Sequence, residues 1–295
     1  MKRVVMFEGA IVAIVTPFRK GIIDYEAFEK LIEFQVTEGI DGIVPCGTTG
    51  ESPTLSHEEH KEVIRFTVEI VKNRVPVIAG TGSNNTVEAI ELTSHAKSVK
   101  ANGVLMTTPY YNKPNQEGLF LHYSKVADQV DIPIVLYNIP SRTSINMTAE
   151  TIIRLSKHKN IVGVKEAAGS MEQAMAIIKG TQHFDLLSGD DLLTLPLCSI
   201  GGKGVISVLA NLLPRETVEF VSHCRKGDLE KAQDMNYRYF ELMKGLFVEP
   251  NPVPVKQALK YAGRCESEVR LPLCEMSNKN QNRLKGLMKE VNLIS

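Results

Sequence analysis

A single lysine near the end of an apolar, strand-like segment has the clearest potential for chemistry in this sequence. Residues 160–169 read Asn-Ile-Val-Gly-Val-Lys-Glu-Ala-Ala-Gly, a β-branched stretch that predicts a strand running into a glycine turn and carrying Lys165. Burial disfavours the charged ammonium and lowers its pKa, and a neutral amine can attack a carbonyl carbon. The segment therefore predicts a nucleophilic lysine; the alternative is a strand-end lysine whose ammonium extends to solvent.

Further polar side chains follow the other apolar runs of the sequence. The segments at the predicted strand ends are 16–17, 47–51, 80–82, 107–111, 137–142, 165–166, 188–191 and 206–207. Together they contain a lysine, tyrosines, hydroxyls, glycines and one arginine, a set that suits imine chemistry on an anionic keto acid. The amine forms the Schiff base and hydroxyl groups transfer protons. Backbone N–H groups beside glycines can hold one carboxylate, and the arginine can bind a second.

Each of these groups also has a purely structural interpretation. Tyr137 could be a core aromatic whose hydroxyl reaches the backbone, and Arg142 could be a solvated loop charge. The glycines of 47–50 could mark only a strained turn, and Tyr110 with Tyr111 could be a surface pair or an oligomer contact. The functional interpretation is favoured because the groups fall at the same ends of consecutive predicted strands.

The elements that must position these groups alternate regularly between strand and helix. Predicted strands cover 10–15, 42–46, 76–80, 103–107, 134–138, 161–166, 185–188 and 204–208. Predicted helices cover 25–38, 57–73, 87–100, 116–130, 149–158, 171–179, 191–199 and 214–225. Such alternation predicts parallel strands joined by crossover helices, and its eight units match a (β/α)8 TIM barrel, whose active sites lie at the carboxyl ends of the strands. The competing doubly wound sheet usually carries a glycine-rich dinucleotide fingerprint, which this sequence lacks.

The carboxyl-terminal part of the chain changes character near residue 226. Strand signals stop there, and helical patterns follow at 229–246, 255–262 and 279–291. We therefore predict a catalytic barrel over 1–225 and a C-terminal helical extension over 226–295. No linker rich in Pro, Gly or Ser separates the two, so we expect the extension to pack on the barrel.

The composition is that of a globular protein and excludes several binding classes. Hydrophobic residues make up 43% and charged residues 23% of the 295 residues, and 34 Lys and Arg balance 34 Asp and Glu. A net charge of zero without a basic run gives no attraction to nucleic acid or to an anionic membrane. No apolar run is long enough to span a bilayer, and Glu8 and Gly9 interrupt the apolar N-terminal stretch, against a secretory leader. We expect a cytoplasmic protein that binds neither nucleic acid nor a membrane.

Two motifs that suggest a metal or a nucleotide fail on spacing. His57-Glu-Glu-His60 places its histidines three residues apart, whereas the zinc-binding helix motif needs four. The glycine-rich segment 201–204 lacks the spacing of a P-loop and the Ser or Thr after its lysine. The five cysteines form no Cys-x-x-Cys pair and are expected to be reduced thiols. We predict neither a metal nor an organic cofactor.

These segments together resemble the dihydrodipicolinate synthase family of lysine-dependent, class I aldolase-like enzymes. The resemblance runs over nearly the whole chain, in the segments 9–17, 47–52, 77–82, 109–114, 136–143, 163–167, 187–191, 204–207 and 247–252. It implies condensation of pyruvate with L-aspartate 4-semialdehyde to 4-hydroxy-tetrahydrodipicolinate, the committing step toward diaminopimelate and lysine. It also implies a homotetramer built as a dimer of dimers.

The resemblance assigns catalytic roles to four residues. Lys165 forms the imine with pyruvate, and Tyr137 is the main proton donor and acceptor. Thr48 links Tyr137 to Tyr111, which in this family reaches the active site of the neighbouring subunit.

Four further residues are implied to bind the substrates. Thr49, with nearby backbone amides, holds the pyruvate carboxylate, while Gly189 and the carbonyl of Ile206 line the pocket. Arg142 receives the carboxylate of the semialdehyde.

Two rival functions remain open at this stage. N-acetylneuraminate lyase and the aldolases of keto-deoxy sugar acids share the lysine, the tyrosine and a Gly-x-Thr-Gly-Glu turn, and they differ in how they hold the second substrate. Arg142, two residues after Pro140, favours the synthase because a short semialdehyde has only one carboxylate to grip. The other rival is a catalytically silent barrel with a binding or regulatory role, which a fold alone never excludes.

The resemblance also implies an inhibitory site for L-lysine across the tight dimer interface. The residues at the corresponding positions are Ser52, Pro53, His57, His60, Asn84, Glu88 and Tyr110. Glu88 can pair with the lysine ammonium, while Asn84 and Tyr110 can form hydrogen bonds. Pro53 departs from some inhibited members, which often have a small residue such as alanine there. For His57 and His60 the alternative is an exposed helix start.

Overall fold

The computed structural model describes residues 7–295, and the first six residues of the N-terminal stretch lie outside the described part. Its strands are β1 Gly9–Ala13, β2 Phe18–Arg19, β3 Ile22–Ile23, β4 Gly42–Val44, β5 Ile78–Gly80, β6 Gly103–Thr107, β7 Ile134–Asn138, β8 Ile161–Glu166, β9 Asp185–Ser188 and β10 Gly204–Ser207. All but β2 and β3 form one parallel sheet of eight strands in the order β4-β1-β10-β9-β8-β7-β6-β5. β2 and β3 pair as a small antiparallel hairpin that the sequence did not predict.

The two edge strands of this sheet meet and close the barrel. Ile43 of β4 forms an isolated parallel bridge with Val77, the residue just before β5. The Ile43 amide donates to the Pro76 carbonyl at 3.0 Å, and the Gly80 amide donates to the Pro45 carbonyl at 2.9 Å. The predicted (β/α)8 barrel is confirmed, with a short seam between β4 and β5.

Helices follow the barrel strands as the alternation predicted. They are α1 Tyr25–Thr37, α2 His57–Val71, α3 Thr86–Ser98, α4 Gln116–Gln129, α5 Pro140–Thr143, α6 Ala149–Leu155, α7 Met171–Gly180, α8 Thr194–Ser199 and α9 Pro214–Lys226. The short α5 was not predicted, and the predicted helix 191–199 is divided into a 3-10 turn, Asp191–Leu193, and α8. Ser56 begins α2 with the predicted capping box, in which its hydroxyl accepts from the Glu59 amide and the Glu59 carboxylate accepts from the Ser56 amide.

The strands are buried on both faces, which explains why they read as continuous apolar runs. One cluster fills the barrel interior and includes Ile11, Val44, Leu105, Leu187 and Ile206. A larger cluster lies between the outer faces of the strands and the surrounding helices. Strands β1 and β4 are two residues shorter at their carboxyl ends than predicted, since the chain turns there into the loops that carry the site.

Three helices form the C-terminal extension: α10 Leu229–Gly245, α11 Val253–Tyr261 and α12 Asn278–Glu290. α10 packs against α9 and α12, and α11 packs against α12. Since α9 ends at Lys226 and α10 begins at Leu229, the helices follow one another without a long linker; the division into two domains stays a prediction. None of the helices within 7–295 has both the length and the apolar character needed to cross a membrane.

Candidate active site

Lys165 and Tyr137 lie side by side near the carboxyl ends of adjacent strands. The two residues are register partners of β8 and β7. Lys165 Nζ lies over the Tyr137 ring, 4.2 Å from the ring centroid. The side chains are almost fully buried, with 6% of Lys165 and 5% of Tyr137 exposed. The predicted nucleophile is therefore enclosed in the barrel and does not extend to solvent.

The surroundings of Lys165 favour its neutral form. Burial is the main cause and lowers the pKa of Lys165 from 10.5 to about 7. The negative charge of Asp191 opposes this shift, Arg142 reinforces it, and Asp190 opposes it weakly. Near neutral pH a large fraction of the amine is therefore unprotonated and able to attack a carbonyl.

Asp191 is a counter-charge that the sequence did not let us assign to Lys165. Its buried carboxylate accepts from the Ser207 hydroxyl at 2.5 Å and from the Val208 and Leu209 amides at 3.0 Å each. These donors fix the carboxylate below the mouth of the barrel. The available signal was its place just after β9, among the polar residues 188–191.

Tyr137 remains a protonated phenol over the physiological range. Burial raises its pKa to about 12, while the Arg142 charge and a hydrogen bond with Thr48 act in the opposite direction. The contact joins the tyrosine on β7 to the turn that follows β4. Tyr137 can thus donate a proton and take it back, with Thr48 as its partner.

The turn 47–51 is held by short backbone hydrogen bonds. The Gly47 carbonyl accepts from the Gly50 amide at 3.1 Å and from the Ser52 amide at 3.3 Å. The Thr16 hydroxyl donates to the Gly50 carbonyl at 2.8 Å. Gly80 must lack a side chain because a Cβ there would stand 2.1 Å from the Cys46 carbonyl oxygen. The turn is therefore held against β5 by a backbone approach that only glycine allows.

A residue of the C-terminal extension, Asn251, connects two of the predicted binding residues. Its side-chain amide donates to Thr49 Oγ1 at 2.9 Å. Its backbone carbonyl accepts from Arg142 Nη2 at 3.2 Å. Asn251 is 5% exposed, and its side-chain oxygen has no hydrogen-bond partner among the described residues. Sequence reasoning gave it no role, since it follows no strand; its only signal was its place in the segment 247–252.

A cavity of about 250 Å³ opens beside these groups. Thr48, Tyr137 and Arg142 line it together with Ser52 and Tyr110. Among the described residues, Lys165 is not part of this lining, and its Nζ lies over the ring of Tyr137, which is part of it. Tyr137 is therefore in contact with both the cavity and the lysine.

Gly189 directly follows β9, and Ile206 lies in the neighbouring strand β10. A Cβ on Gly189 would stand 3.2 Å from Lys165 Cε and 2.7 Å from the Ala167 side chain, so this glycine lies directly beside the lysine. Ile206 is 1% exposed and belongs to the interior cluster that also contains Tyr137. The structure brings Gly189 to Lys165 and places Ile206 in the same interior.

Tyr111 stands apart from the other predicted catalytic residues. Its side chain is 91% exposed and its φ is +70°. Within one chain the structure therefore does not bring Tyr111 together with Thr48 and Tyr137.

The histidines of the predicted lysine site have different environments. His57 begins α2 and is half-exposed, and its Nε2 lies 2.7 Å from Glu88 Oε1. His60 is buried: its Nε2–H donates to the Gly80 carbonyl at 2.7 Å, and Ser52 Oγ lies 3.5 Å from its Nδ1. Burial lowers the pKa of His60. The alternative of an exposed helix start therefore describes His57 and is wrong for His60.

Three of the remaining residues of that predicted site line the same cavity, and Asn84 contacts one of them. Asn84 Nδ2 donates to the Tyr110 carbonyl at 3.2 Å, and Glu88 also accepts a short hydrogen bond from Ser83. Ser52, Pro53 and Tyr110 line the cavity that contains Thr48 and Tyr137. The candidate inhibitory residues are thus contiguous with the candidate catalytic residues.

Residues 7–295 contain no group of three or more His, Cys, Asp or Glu side chains placed to hold a metal ion. All five cysteines are free thiols, as the sequence predicted: Cys46, Cys198, Cys224, Cys265 and Cys274.

A parallel barrel that buries a lysine of lowered pKa beside a tyrosine near the carboxyl ends of its strands defines an enzyme of the lysine-dependent, Schiff-base-forming lyase class. Within that class, the chain belongs to the dihydrodipicolinate synthetase family, whose model matches residues 6–291. The resemblance inferred from the sequence is therefore confirmed.

Three relatives illustrate the similarity. The 4-hydroxy-tetrahydrodipicolinate synthase of Hydrogenobaculum sp. is 53% identical over 290 residues, which are 98% of this chain and 100% of the relative. The crystal structure of the chloride-inhibited dihydrodipicolinate synthase of Acinetobacter baumannii complexed with pyruvate is 41% identical, with a TM-score of 0.96, 97% of this chain covered and 99% of the other. The Cyanidioschyzon merolae enzyme with lysine bound is 42% identical, with a TM-score of 0.96. The match covers 98% of this chain and 99% of the other.

Proposed function

We propose that this chain condenses pyruvate with L-aspartate 4-semialdehyde through an imine on Lys165. The observation that carries the proposal is the buried amine of Lys165, with its pKa lowered to about 7, beside the phenol of Tyr137. The names of full-length relatives and the pyruvate complex of one of them support the choice of substrates.

The first half of the reaction activates pyruvate. The neutral Lys165 amine attacks the keto carbon, and the intermediate loses water to give a protonated imine. Tyr137, partnered by Thr48, supplies a proton to the departing oxygen and regains one as the methyl group is deprotonated to the enamine. Thr49, held by Asn251, and the amides of its turn bind the carboxylate.

The second half joins the two substrates. The enamine carbon attacks the aldehyde carbon of the semialdehyde, and the aldehyde oxygen takes the proton that Tyr137 had regained. The amino group of the adduct then displaces Lys165 from the imine as the free amine and closes the ring. Arg142 binds the carboxylate of the semialdehyde, and the Asn251 carbonyl orients its guanidinium. The protonated imine itself withdraws electrons, so this scheme uses no metal or organic cofactor.

We also propose inhibition by L-lysine and assembly into a homotetramer. A lysine-bound relative supports the first proposal. Glu88, now paired with His57, would exchange that partner for the ligand's ammonium. The 91% exposure of Tyr111 supports the second, since a tyrosine that completes a neighbouring subunit's site must project from its own chain.

The test combines trapping with turnover. Borohydride reduction in the presence of pyruvate, followed by peptide mass spectrometry, is applied to the wild type and to Lys165→Ala. We expect an adduct on Lys165 in the wild type alone, together with semialdehyde-dependent turnover. An adduct without that turnover would indicate an aldolase of keto-deoxy sugar acids, and no adduct would overturn the imine mechanism and favour the silent barrel.

A further inference from the structure

A fully buried ion pair joins the catalytic turn to the C-terminal extension. Lys256 Nζ of α11 lies 2.5 Å from Glu51 Oε1, and neither side chain has any solvent exposure. Removing two charges from water is costly, and replacing such a pair by well-packed apolar residues is often neutral or stabilising. A stabilising role alone therefore does not account for this pair, and its location indicates a second role.

Glu51 is the last residue of the turn that carries Thr48 and Thr49. Its amide donates to the Thr48 carbonyl at 3.1 Å, and its own φ is +54°, a left-handed conformation that is strained for a residue with a side chain. Ser52 and Pro53, which line the cavity, follow directly. The Glu51 side chain thus holds the middle of the segment that forms one cavity wall.

The other polar atoms of the pair are also bound. Glu51 Oε2 accepts from the Arg270 amide at 3.1 Å, and Lys256 Nζ donates to the Glu268 carbonyl at 2.8 Å. The Phe18 ring lies 4.1 Å from Lys256 Nζ and 4.4 Å from the Arg270 guanidinium carbon, measured to the ring centroid. Since both carboxylate oxygens are engaged, Glu51 can occupy only one position relative to the extension.

We propose that the Glu51–Lys256 pair is a positioning element through which the C-terminal extension sets Thr48 and Thr49 for pyruvate. The inference rests on the proposed function. Neither charge touches substrate; the pair acts through the turn, whose Thr48 bonds Tyr137 and whose Thr49 accepts from Asn251 of the same extension. Two anchors from one region therefore fix the wall that binds the carboxylate.

The test uses a double variant without either charge to distinguish an effect on the position of the turn from an effect on the stability of the fold. Glu51→Gln leaves Lys256 buried without its counter-charge, and Lys256→Met does the same to Glu51; both are expected to lower the melting temperature. The double variant E51Q/K256M has no charge at either buried position and is expected to regain stability relative to the single variants. Leu284→Ala, in α12 and 1% exposed, is the matched control, because it weakens the extension at a helix that carries neither Lys256 nor Asn251.

Steady-state kinetics and pyruvate trapping are then measured at a temperature where every variant tested is folded. For the double variant we expect the KM for pyruvate to rise roughly tenfold or more, because small displacements of binding groups have large kinetic effects. The KM for the semialdehyde, set by Arg142 on α5, should change less. Leu284→Ala should lose stability with both KM values unchanged.

Two results would overturn the inference. One is a double variant that is stable and retains the wild-type KM for pyruvate. The other is a rise in the KM for pyruvate in Leu284→Ala that equals the rise in the double variant when the two have the same stability. Failure of the proposed function is seen separately, as absence of the Lys165 adduct or of turnover in the wild type.

Discussion

Lys165 Nζ lies 4.2 Å from the centroid of the Tyr137 ring, and the two residues are register partners on adjacent parallel strands. The distance between the proposed nucleophile and its proposed proton donor is therefore set by the hydrogen-bond register of the sheet. Sites built on strands hold their groups more accurately than sites built on loops. Thr48, Thr49 and Arg142 come from a turn and a short helix, and they depend on contacts from elsewhere in the chain.

Burial of Lys165 makes stability depend on pH. Its folded pKa, about 7, lies below the ordinary value of 10.5, so the unfolded chain binds more protons between these values. The cost of burying the amine is complete below pH 7 and disappears as pH rises through 10.5. Lys165→Met should therefore stabilise the fold by a few kcal/mol at pH 6 and by almost nothing at pH 11. Urea unfolding at both pH values measures the difference, and a gain that is the same at both would contradict the shift.

Asp191 raises the pKa of Lys165, so its removal should move the pH profile of imine formation. In Asp191→Asn the pKa of Lys165 falls further, and the acidic limb of the trapping rate is expected to shift to lower pH. Ser207→Ala removes a hydrogen bond to the same carboxylate while keeping its charge, and should leave the limb in place. Equal shifts in both variants would assign the effect to geometry instead of charge.

Arg142→Ala should weaken use of the semialdehyde far more than binding of pyruvate. Hydrogen bonds to a charged group contribute about 1.5–3 kcal/mol, which corresponds to a loss of roughly tenfold to a hundredfold in kcat/KM for the semialdehyde. Trapping with pyruvate alone measures the first substrate without the second. Equal losses for the two substrates would count against the role proposed for Arg142.

Asn251→Ala should weaken pyruvate binding more than it weakens use of the semialdehyde, the opposite of Arg142→Ala. The change removes the donor to Thr49 Oγ1 but keeps the backbone carbonyl that accepts from Arg142. The KM for pyruvate is therefore expected to rise severalfold, and the KM for the semialdehyde to rise less. A variant in which only semialdehyde use suffers would show that Asn251 acts through Arg142 alone.

Glu88→Gln should weaken inhibition by lysine. The carboxylate is the group proposed to pair with the ligand's ammonium, and the amide has no charge to offer. We expect the lysine concentration for half inhibition to rise roughly tenfold or more relative to each variant's own uninhibited rate. Glu91→Gln lies on the same helix and removes an exposed pair with Lys61, so it is the matched control. A wild type that is not inhibited by millimolar lysine would remove the basis of this site.

The barrel and its central pair were accessible from the sequence because they follow local rules. Strands covered on both faces are apolar throughout, so Lys165 was conspicuous within one, and Tyr137 followed from the polar groups at strand ends. Asn251 and the counter-charge Asp191 could not be assigned, since their roles depend on contacts across the fold. Asn251 lies 202 residues from the threonine it binds, a separation that no periodicity reports.

For the same reason, the sequence predicted neither the Glu51–Lys256 ion pair nor the exposure of Tyr111. Glu51 reads as one more polar residue of a glycine turn until Lys256 is placed against it. The sequence around Tyr111 does not reveal that its side chain is exposed, because its proposed partner lies on another copy of the chain.

The proposed lysine site lies against the short seam between β4 and β5. A single bridge and a few hydrogen bonds hold the barrel shut there, so brief local opening should occur at this seam before it occurs elsewhere in the sheet. His60 donates to Gly80 across the seam, and Ser52 lies against the same ring. Lysine bound at this proposed site should therefore oppose opening of the seam. The affinity for lysine would therefore depend on how readily this seam opens locally. We expect slower amide hydrogen exchange in β4 and β5 when lysine is bound.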